Sequence, residues 1–294
     1  MRLQLNNPLI TVGIPTFNQP KALKQTLNLI CNQTYKNLEI IISDNGSDGN
    51  EVSNVIKSFK EKDIRIIYFQ QLENKGVNFN FRFVLEKANG SFFMWAADDY
   101  WEPDFIEICY NNLLKFNVGV SFSNIHAIDI FGRTLRRIEN LSKISKQNKF
   151  STVKAYLFSP EIEGKANIIY GLYPKYVISE TLNTFYKHFN YWGIDMNMNL
   201  YVISHYGCYI DQRVLFKKMG TDAEYSKQHF EPIIFKNPKD HIFPEDKFDE
   251  YIYGIKLATK GTKMYYLAIF IMYYRLYELK TRKLYKRIKI KVGL

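Results

Sequence analysis

Apolar and polar positions alternate in blocks along the N-terminal third of the chain. Four short apolar runs have the length of buried strands and lie at residues 9–14, 38–43, 64–69 and 91–97. Three segments between them repeat apolar residues at helical spacing, at residues 21–31, 52–59 and 78–88. Strands that alternate with helices of this length predict an α/β fold with a mostly parallel sheet covered on both faces.

Polar loops follow three of the predicted strands, at residues 15–18, 44–49 and 98–100. In an open parallel sheet the carboxyl ends of the strands share one edge, where ligands bind. The third loop begins with the adjacent carboxylates Asp98 and Asp99, which are costly to bury unless a cation or hydrogen-bond donors neutralise them. One interpretation is a magnesium-like ion held together with substrate phosphates. The other is that both aspartates begin the next helix, with Pro103 in its first turn.

A site built from these loops suits a nucleoside diphosphate. Asp44 and Asp98 offer acceptors for a base and a ribose, Phe17 offers an aromatic platform, and Asp99 offers a carboxylate for a metal beside the phosphates. The sequence has neither GxGxxG after the first strand nor GxxxxGK[ST], which argues against the glycine-rich phosphate loops of dinucleotide and P-loop sites. The negative charge of the phosphates would then be neutralised by the metal.

Four motifs, in order, resemble those of the family 2 glycosyltransferases. They are PLITVGIPTFNQP at residues 8–20, NQTYKNLEIIISDNGSDG at 32–49, ENKGVNFN at 73–80 and the Asp98-Asp99 turn. The resemblance covers roughly the first 110 residues, and four ordered motifs are far more specific than any one of them. It implies a GT-A fold, which is a Rossmann-like, mostly parallel sheet flanked by helices. It also implies inverting transfer from a nucleotide sugar with Mn²⁺ or Mg²⁺.

The resemblance assigns roles to five residues of the first half. It implies that Pro15, Thr16 and Phe17 lie against the nucleotide and that Asp44 hydrogen-bonds its base. Asn80 stands where the family approaches the ribose or the diphosphate. Each position also has a purely structural interpretation: Asp44 as a turn residue, Phe17 as core and Asn80 as a solvent-facing helix residue.

Asp98 and Asp99 occupy the metal motif of the family, usually written Asp-x-Asp or Asp-x-Asp-Asp. The first acid of the longer form is Ala96 in this chain, which leaves only the adjacent pair. We expect Asp99 to be the metal ligand and Asp98 to face the ribose.

Inverting transfer also requires a general base that takes the proton of the acceptor hydroxyl. The family carries this acid well after the metal motif, often as Glu-Asp at the start of a helix. The match is Asp195, with Ile194 in place of the glutamate, before a helical run at residues 196–205 and a strand-like segment at 208–210. Asp195 is therefore the expected base, and the alternative is a helix N-cap. His229 stands where relatives carry a histidine near the diphosphate, and it is expected as a second metal ligand.

Five further residues of the second half are candidates for the site. Tyr170 and Trp192 could stack on a sugar ring, although large aromatic residues more often belong to the core. The remaining three are Asp211, His126 and His205.

The net charge of +11 resides almost entirely in the C-terminal tail. Residues 1–255 carry 29 Lys and Arg against 28 Asp and Glu, whereas residues 256–294 carry 11 against one acid, Glu278. Within the tail, residues 264–274 are uncharged and a basic cluster follows at 280–291. Such an apolar run is too short to span a bilayer, so we predict an interfacial helix on anionic lipid. The alternative is a helix docked on the protein. Nucleic acid is not an expected partner, because no recognition fold accompanies the charge.

The number and spacing of the cysteines indicate the cellular compartment of the protein. Cys31, Cys109 and Cys208 are widely spaced and odd in number, so neither a disulfide framework nor a paired zinc site is expected. Residues 1–15 show no secretory signal pattern. We therefore expect a cytoplasmic protein that is peripheral on the inner face of the cell membrane.

Together these features predict a metal-dependent hexosyltransferase that acts in surface polysaccharide synthesis. The donor is a nucleotide sugar, UDP-linked, and the acceptor is a glycan or a lipid-linked saccharide. The expected organisation is a nucleotide-sugar-binding half at residues 1–115, an acceptor-binding half at 116–235 and a basic, aromatic helical tail at 236–294. Two alternatives remain open. A nucleotidyltransferase would need a glycine-rich phosphate loop that residues 15–20 lack, and Ala96 and Ile194 leave room for a non-catalytic nucleotide-binding relative.

Overall fold

The computed structural model describes residues 7–129, 131–145, 148–161, 163–188, 190–219 and 243–292. Its larger sheet has five strands in the order β3-β2-β1-β4-β8. They are β1 (Ile10–Thr16), β2 (Leu38–Asp44), β3 (Ile66–Gln70), β4 (Phe92–Trp95) and β8 (Tyr173–Pro174). β1 to β4 are parallel to one another, and β8 runs antiparallel to β4.

Three amphipathic helices connect the parallel strands: α1 (Pro20–Cys31), α2 (Glu51–Lys60) and α3 (Val77–Lys87). Their apolar faces are buried because they repeat at helical spacing, as with Leu23, Leu27 and Ile30 of α1. Every strand and helix predicted for this part of the chain is confirmed, with ends that differ by no more than two residues.

A second sheet of four strands has the order β5-β9-β6-β7. Its members are β5 (Tyr100–Trp101), β6 (Val120–Ile128), β7 (Thr134–Ile138) and β9 (Cys208–Met219). β6 and β9 are parallel, while β5 pairs antiparallel with the end of β9. β5 comes from the first half of the chain but belongs to the second sheet. β8 comes from the second half of the chain but belongs to the first sheet.

The second half packs around one buried helix, α7 (Ile194–Tyr206), in which every residue from Met196 to Ser204 is buried. This helix is buried on all sides, with the polar residues Asn197, Asn199 and Ser204 among its buried ones, and it lacks a single apolar face. The other helices are α4 (Phe105–Phe116), α5 (Lys149–Phe158) and α6 (Lys175–Phe185). A short 3-10 helix at Lys165–Tyr170 leads to the edge strand β8.

The tail forms two helices, α8 (Phe248–Thr259) and α9 (Tyr265–Val292). One face of α9 is docked on the protein, with Ala268, Ile271, Met272, Arg275 and Leu279 buried. The opposite face, which we call the outer face, exposes eight large side chains: Tyr266, Phe270, Tyr273, Tyr274, Tyr277, Leu284, Tyr285 and Ile288. Within the described part of the chain no helix has both the length and the apolar character needed to cross a bilayer.

Candidate functional site

Three loops at the carboxyl ends of β1, β2 and β3 are tied to one another by asparagine side chains. The backbone N–H of Asn18 donates to Ser47 Oγ at 2.8 Å, and Asn18 Nδ2 donates to Asp48 Oδ2 at 2.8 Å. On the other side, Asn45 Nδ2 donates to Asn74 Oδ1 at 2.8 Å. The motifs around residues 15–20, 44–49 and 73–80 therefore meet at one edge of the sheet. The sequence predicts this position for the first two loops.

Gly46 allows the second and third of these loops to approach closely. Its φ is +76°, which L-residues with a side chain rarely adopt. A Cβ at this position would lie 2.6 Å from the backbone carbon of Glu73. Any larger residue would push the two loops apart.

Asn80, on α3, holds the ends of β1 and β2 in register. Its Nδ2 donates to the backbone oxygens of Thr16 at 3.2 Å and Ser43 at 3.0 Å. The side chain is buried, and its Oδ1 has no hydrogen-bond partner in the described structure. Buried polar atoms are normally paired, so an unpaired amide oxygen at this edge suits a ligand hydroxyl.

The remaining predicted nucleotide residues lie at the ends of the same two strands. Thr16 and Asp44 are register partners and both are buried, while Phe17 is exposed and Pro15 is half-buried. Asp44 Oδ1 accepts from the backbone N–H of Ser47 at 2.9 Å. Since a carboxylate has about four acceptor positions, Asp44 retains capacity for a base donor.

Asp98 and Asp99 lie in very different environments. Asp98 is exposed and has no hydrogen-bond or ion-pair partner among the residues that the structure describes. Asp99 is 0 % exposed, and its Oδ2 accepts from Lys218 Nζ at 2.9 Å while its Oδ1 accepts from the backbone N–H of Met219 at 3.0 Å. Burial raises the pKa of Asp99 to about 6, although the ammonium of Lys218 acts in the opposite direction. The alternative that these aspartates begin a helix is wrong, because α4 starts only at Phe105.

Tyr170 lies where the two halves of the chain meet. Its ring stacks on Phe216 with a centroid distance of 6.0 Å, and Lys218 Nζ lies 5.5 Å from the ring centre. Burial raises the pKa of Tyr170, the ammonium of Lys218 lowers it, and the negative charges of Asp99, Asp98 and Asp195 raise it, which together give a pKa of about 12. The acid pair and the predicted base thus all act electrostatically on this one phenol.

Asp195 is the second residue of α7, and the N-cap position belongs to Gly193. Asp195 Oδ1 accepts from the backbone N–H of Met196 at 2.7 Å. Burial raises the pKa of Asp195 above its ordinary value, while the Met196 N–H and the charge of Lys165 lower it. A half-buried carboxylate with a raised pKa and a free oxygen has the character of a general base.

The other candidate residues are engaged elsewhere or lie outside the described residues. Asp211 is paired with Arg213 at 2.8 Å, His126 with Glu139 at 3.2 Å, and His205 stacks on Tyr201 at 4.2 Å. Trp192 packs edge-on against Tyr251 at 5.0 Å. His229 falls in the segment 220–242, outside the described residues.

Lys218 is a functional candidate that the sequence analysis missed. In the strand VLFKKM it alternates with Phe216 and Val214, so strand periodicity alone would place these residues on one face. Its partner Asp99 lies 119 residues away in sequence. Only the pairing of β5 with β9 brings the two together.

A divalent metal fits this edge of the sheet through Asp98. Its exposed carboxylate is the kind of oxygen ligand that such ions prefer, and these ions are commonly bound by one or two carboxylates plus phosphates. No group of three or more His, Cys, Asp or Glu side chains suited to a metal occurs in the described ranges. The protein would thus supply few of the metal ligands, and phosphate oxygens would supply the others.

The structure is that of an α/β protein whose polar loops are gathered at the carboxyl edge of a parallel sheet. The model of "Glycosyl transferase family 2" matches residues 11–171, which is more than half of the chain. The chain belongs to this family. The family resemblance inferred from the four motifs is thereby confirmed.

Relatives of known description match part of the chain. A glycosyltransferase, GlyA, of Streptococcus pneumoniae is 31% identical over 121 residues, which cover 41% of this chain and 17% of that protein. The "GalNAc(5)-diNAcBac-PP-undecaprenol beta-1,3-glucosyltransferase" of Campylobacter jejuni is 37% identical over 93 residues, covering 31% of this chain and 30% of the relative. The chain thus spans less than a third of the length of either relative.

Solved structures resemble the fold over most of the chain. TarS 1-349 of S. aureus in complex with UDP-GlcNAc superposes with a TM-score of 0.62 at 12% identity, covering 90% of this chain and 70% of the other. A mannosyltransferase of Pyrobaculum calidifontis in complex with GDP-Man and Mn²⁺ gives a TM-score of 0.54 at 12% identity, with 94% and 76% covered. The predicted GT-A fold with a helical C-terminal region is confirmed.

Proposed function

We propose that this protein is an inverting hexosyltransferase that moves a sugar from a UDP-linked donor to a glycan or lipid-linked saccharide in surface polysaccharide synthesis. The observation that carries the proposal is the group around Tyr170: Lys218 Nζ lies 5.5 Å from its ring and donates to Asp99 at 2.9 Å, and the charges of Asp98, Asp99 and Asp195 all act on its phenol. Membership of family 2, the UDP-GlcNAc complex of TarS and the lipid-linked name of the Campylobacter relative support it.

The donor nucleotide would lie across the carboxyl ends of β1 and β2. Phe17 would face the base, with Pro15 and Thr16 beside it, and Asp44 would accept from a base N–H. The free Oδ1 of Asn80 would accept from a ribose hydroxyl. Loops already tied together by Asn18 and Asn45 would need little ordering when the donor binds, which favours affinity.

Asp98 is the carboxylate that we assign to the metal. Asp99 is buried beside it and holds Lys218 in place. This exchanges the roles expected from the sequence, because both oxygens of Asp99 are already engaged by Lys218 and Met219. A bound Mn²⁺ or Mg²⁺ would supply positive charge to the departing diphosphate. His229 remains a proposed second ligand.

Asp195 would act as the general base. Its carboxylate would accept the proton of the acceptor hydroxyl while that oxygen bonds to the anomeric carbon of the sugar. The bond from this carbon to the diphosphate oxygen breaks at the same time, and the electron pair leaves with the nucleoside diphosphate. Attack from the side opposite to the leaving group inverts the anomeric configuration.

Membrane association through α9 would place the enzyme beside lipid-linked acceptors on the inner face of the membrane. The outer face presents aromatic and aliphatic side chains, which suit the headgroup and acyl boundary. Residues 256–294 carry 11 basic residues against one acidic residue. Pairing of two such tails would bring like charges together, whereas anionic lipid attracts them.

Calorimetry with a panel of nucleoside diphosphates and their sugar conjugates tests the proposal, with Mn²⁺, with Mg²⁺ and with chelator. Metal-dependent binding of a UDP-sugar, followed by release of UDP when an acceptor saccharide is added, is the expected result. Release of pyrophosphate would instead identify a nucleotidyltransferase. Binding without turnover on any acceptor would point to a non-catalytic relative, and no nucleotide binding under any condition would overturn the proposal.

A further inference from the structure

Lys218 is fixed beside the acid pair by the geometry of the second sheet. β5 pairs with β9 so that Tyr100 lies opposite Lys217 and Trp101 opposite Phe216. One residue further along β9, Lys218 reaches Asp99, the residue that precedes β5. A group held by strand pairing keeps its position better than one held by a loop.

The ammonium of Lys218 is only partly used by this contact. It has three N–H donors, and Asp99 Oδ2 is its only hydrogen-bond acceptor within the described ranges. The side chain is 36 % exposed, so the remaining donors are not sealed in the core. The ring of Tyr170 covers one side of the ammonium at 5.5 Å.

The charges of this group are unevenly distributed. Lys218 neutralises the buried Asp99, which leaves Asp98 as the uncompensated carboxylate at the surface. Lys218 places its ammonium 2.9 Å from Asp99 Oδ2, and a lysine ammonium is ordinarily charged at neutral pH. A cation next to a metal-binding carboxylate is suited to an anion that bridges both.

We propose that Lys218 is a diphosphate-binding residue of the donor site, locked in position by Asp99, while Asp98 rather than Asp99 serves the metal. This inference rests on the proposed function. In the reaction, the two free N–H donors of Lys218 would stabilise the negative charge that grows on the departing diphosphate. The positive charge of Lys218 would thereby provide part of the stabilisation of the diphosphate that a metal ion with an additional protein ligand would otherwise provide.

The test compares Lys218→Met with Lys218→Arg and with the matched control Lys217→Met. Lys217 is the adjacent residue of the same strand, is 38 % exposed and pairs with Glu102 at 2.6 Å. The probes are UDP, UMP and uridine, measured by calorimetry with Mn²⁺ and with chelator. We expect Lys218→Met to weaken UDP binding about tenfold in both conditions and to leave uridine binding unchanged, because only the phosphates lose a partner. Lys218→Arg should restore most of the loss, and Lys217→Met should bind UDP like the wild type.

Equal weakening of UDP and uridine in Lys218→Met would show a merely structural role and overturn the inference, as would unchanged UDP affinity. If Lys218→Met does not fold, the double variant Asp99→Asn/Lys218→Met removes the buried pair together and keeps the shape of both side chains. It should show the same selective loss of UDP affinity. Failure of the wild-type protein to bind any nucleotide would instead contradict the proposed function, so the two outcomes are distinguishable.

Discussion

Arg275 of the C-terminal helix and Glu161 form a buried, two-pronged ion pair. Arg275 Nη1 donates to Glu161 Oε1 at 2.8 Å, and Nη2 donates to Oε2 at 2.6 Å. Lys165 Nζ reaches the same carboxylate at 2.9 Å. The charges of Lys165 and Arg275 outweigh the effect of burial and lower the pKa of Glu161. The tail is thus part of the core of the second half and also bears the exposed outer face.

Replacement of Arg275 by methionine is expected to cost about 3 kcal/mol of unfolding free energy, because one partner of a buried ion pair is lost. Chemical denaturation measures it. The matched control is Arg282→Met on the same helix, whose pair with Glu278 is about one-third exposed and should cost less than about 1 kcal/mol. Equal losses in the two variants would mean that the Arg275 pair contributes no more than a surface pair.

Asp195→Asn is expected to retain donor affinity and to lower kcat at least a hundredfold, on the order of the effect of losing a general base. Calorimetry and steady-state kinetics measure the two quantities. Asp211→Asn is the control, because Asp211 is held by Arg213 and Asn112 and should turn over like the wild type. A parallel loss of donor binding in Asp195→Asn would contradict its role as base.

The rate should depend on pH through Asp195. A base acts as the carboxylate, so kcat should rise with pH as Asp195 loses its proton. Because burial raises the pKa of this residue above 3.8, the midpoint of that rise should lie above 3.8 as well. Measurement of kcat from about pH 4 to about pH 8 tests it. A profile that is flat down to the ordinary aspartate range would remove Asp195 from the rate-determining step.

Asn80→Ala is expected to destabilise the protein by about 1 to 3 kcal/mol, because the backbone oxygens of Thr16 and Ser43 lose their donor. It should also weaken UDP binding. Thermal unfolding and calorimetry measure these effects. Asn78→Ala, on the same helix, loses only an exposed contact with Asn190 at 3.2 Å and should change neither. Normal UDP affinity in a folded Asn80→Ala protein would restrict Asn80 to a structural role.

The triple variant Tyr266→Ser, Phe270→Ser and Tyr277→Ser should lose most of its binding to vesicles of anionic lipid while it keeps its fold. All three residues lie on the exposed outer face of α9. Co-sedimentation with anionic and with neutral vesicles measures the effect, and Phe131→Ser, which changes an exposed aromatic elsewhere, is the control. Deletion of residues 264–294 is less informative, since it also removes Arg275. Unchanged sedimentation of the triple variant would argue against membrane binding by the outer face. So would the finding that the wild-type protein is a dimer and the triple variant is not.

The first half of the chain was predictable because its signals are local. Strands such as β2 are short apolar runs, and a turn with Gly46 directly ends that run. The edge that gathers Asp44, Asn80 and Asp98 then follows from the rule for parallel sheets.

The second half was less predictable because its structure depends on distant partners. α7 is buried on every side and shows no amphipathic periodicity. β9 continues nine residues beyond the predicted Ile210, past a bulge at Gln212 and Arg213 that places polar residues in mid-strand. The asymmetry between Asp98 and Asp99 depends on Lys218, which no local pattern connects to them. The division at residues 115 and 235 stays a prediction.

The exchange of β5 and β8 between the two sheets limits how this chain can be recombined with its relatives. A chimera that takes the second half of the chain from a relative would lose the pairing of Phe93 with Tyr173 and of Trp101 with Phe216. The grafted segment would have to supply one strand that pairs with β4 and another that pairs with β5. A change of function is therefore better sought by replacing individual side chains around Tyr170 than by exchanging whole halves.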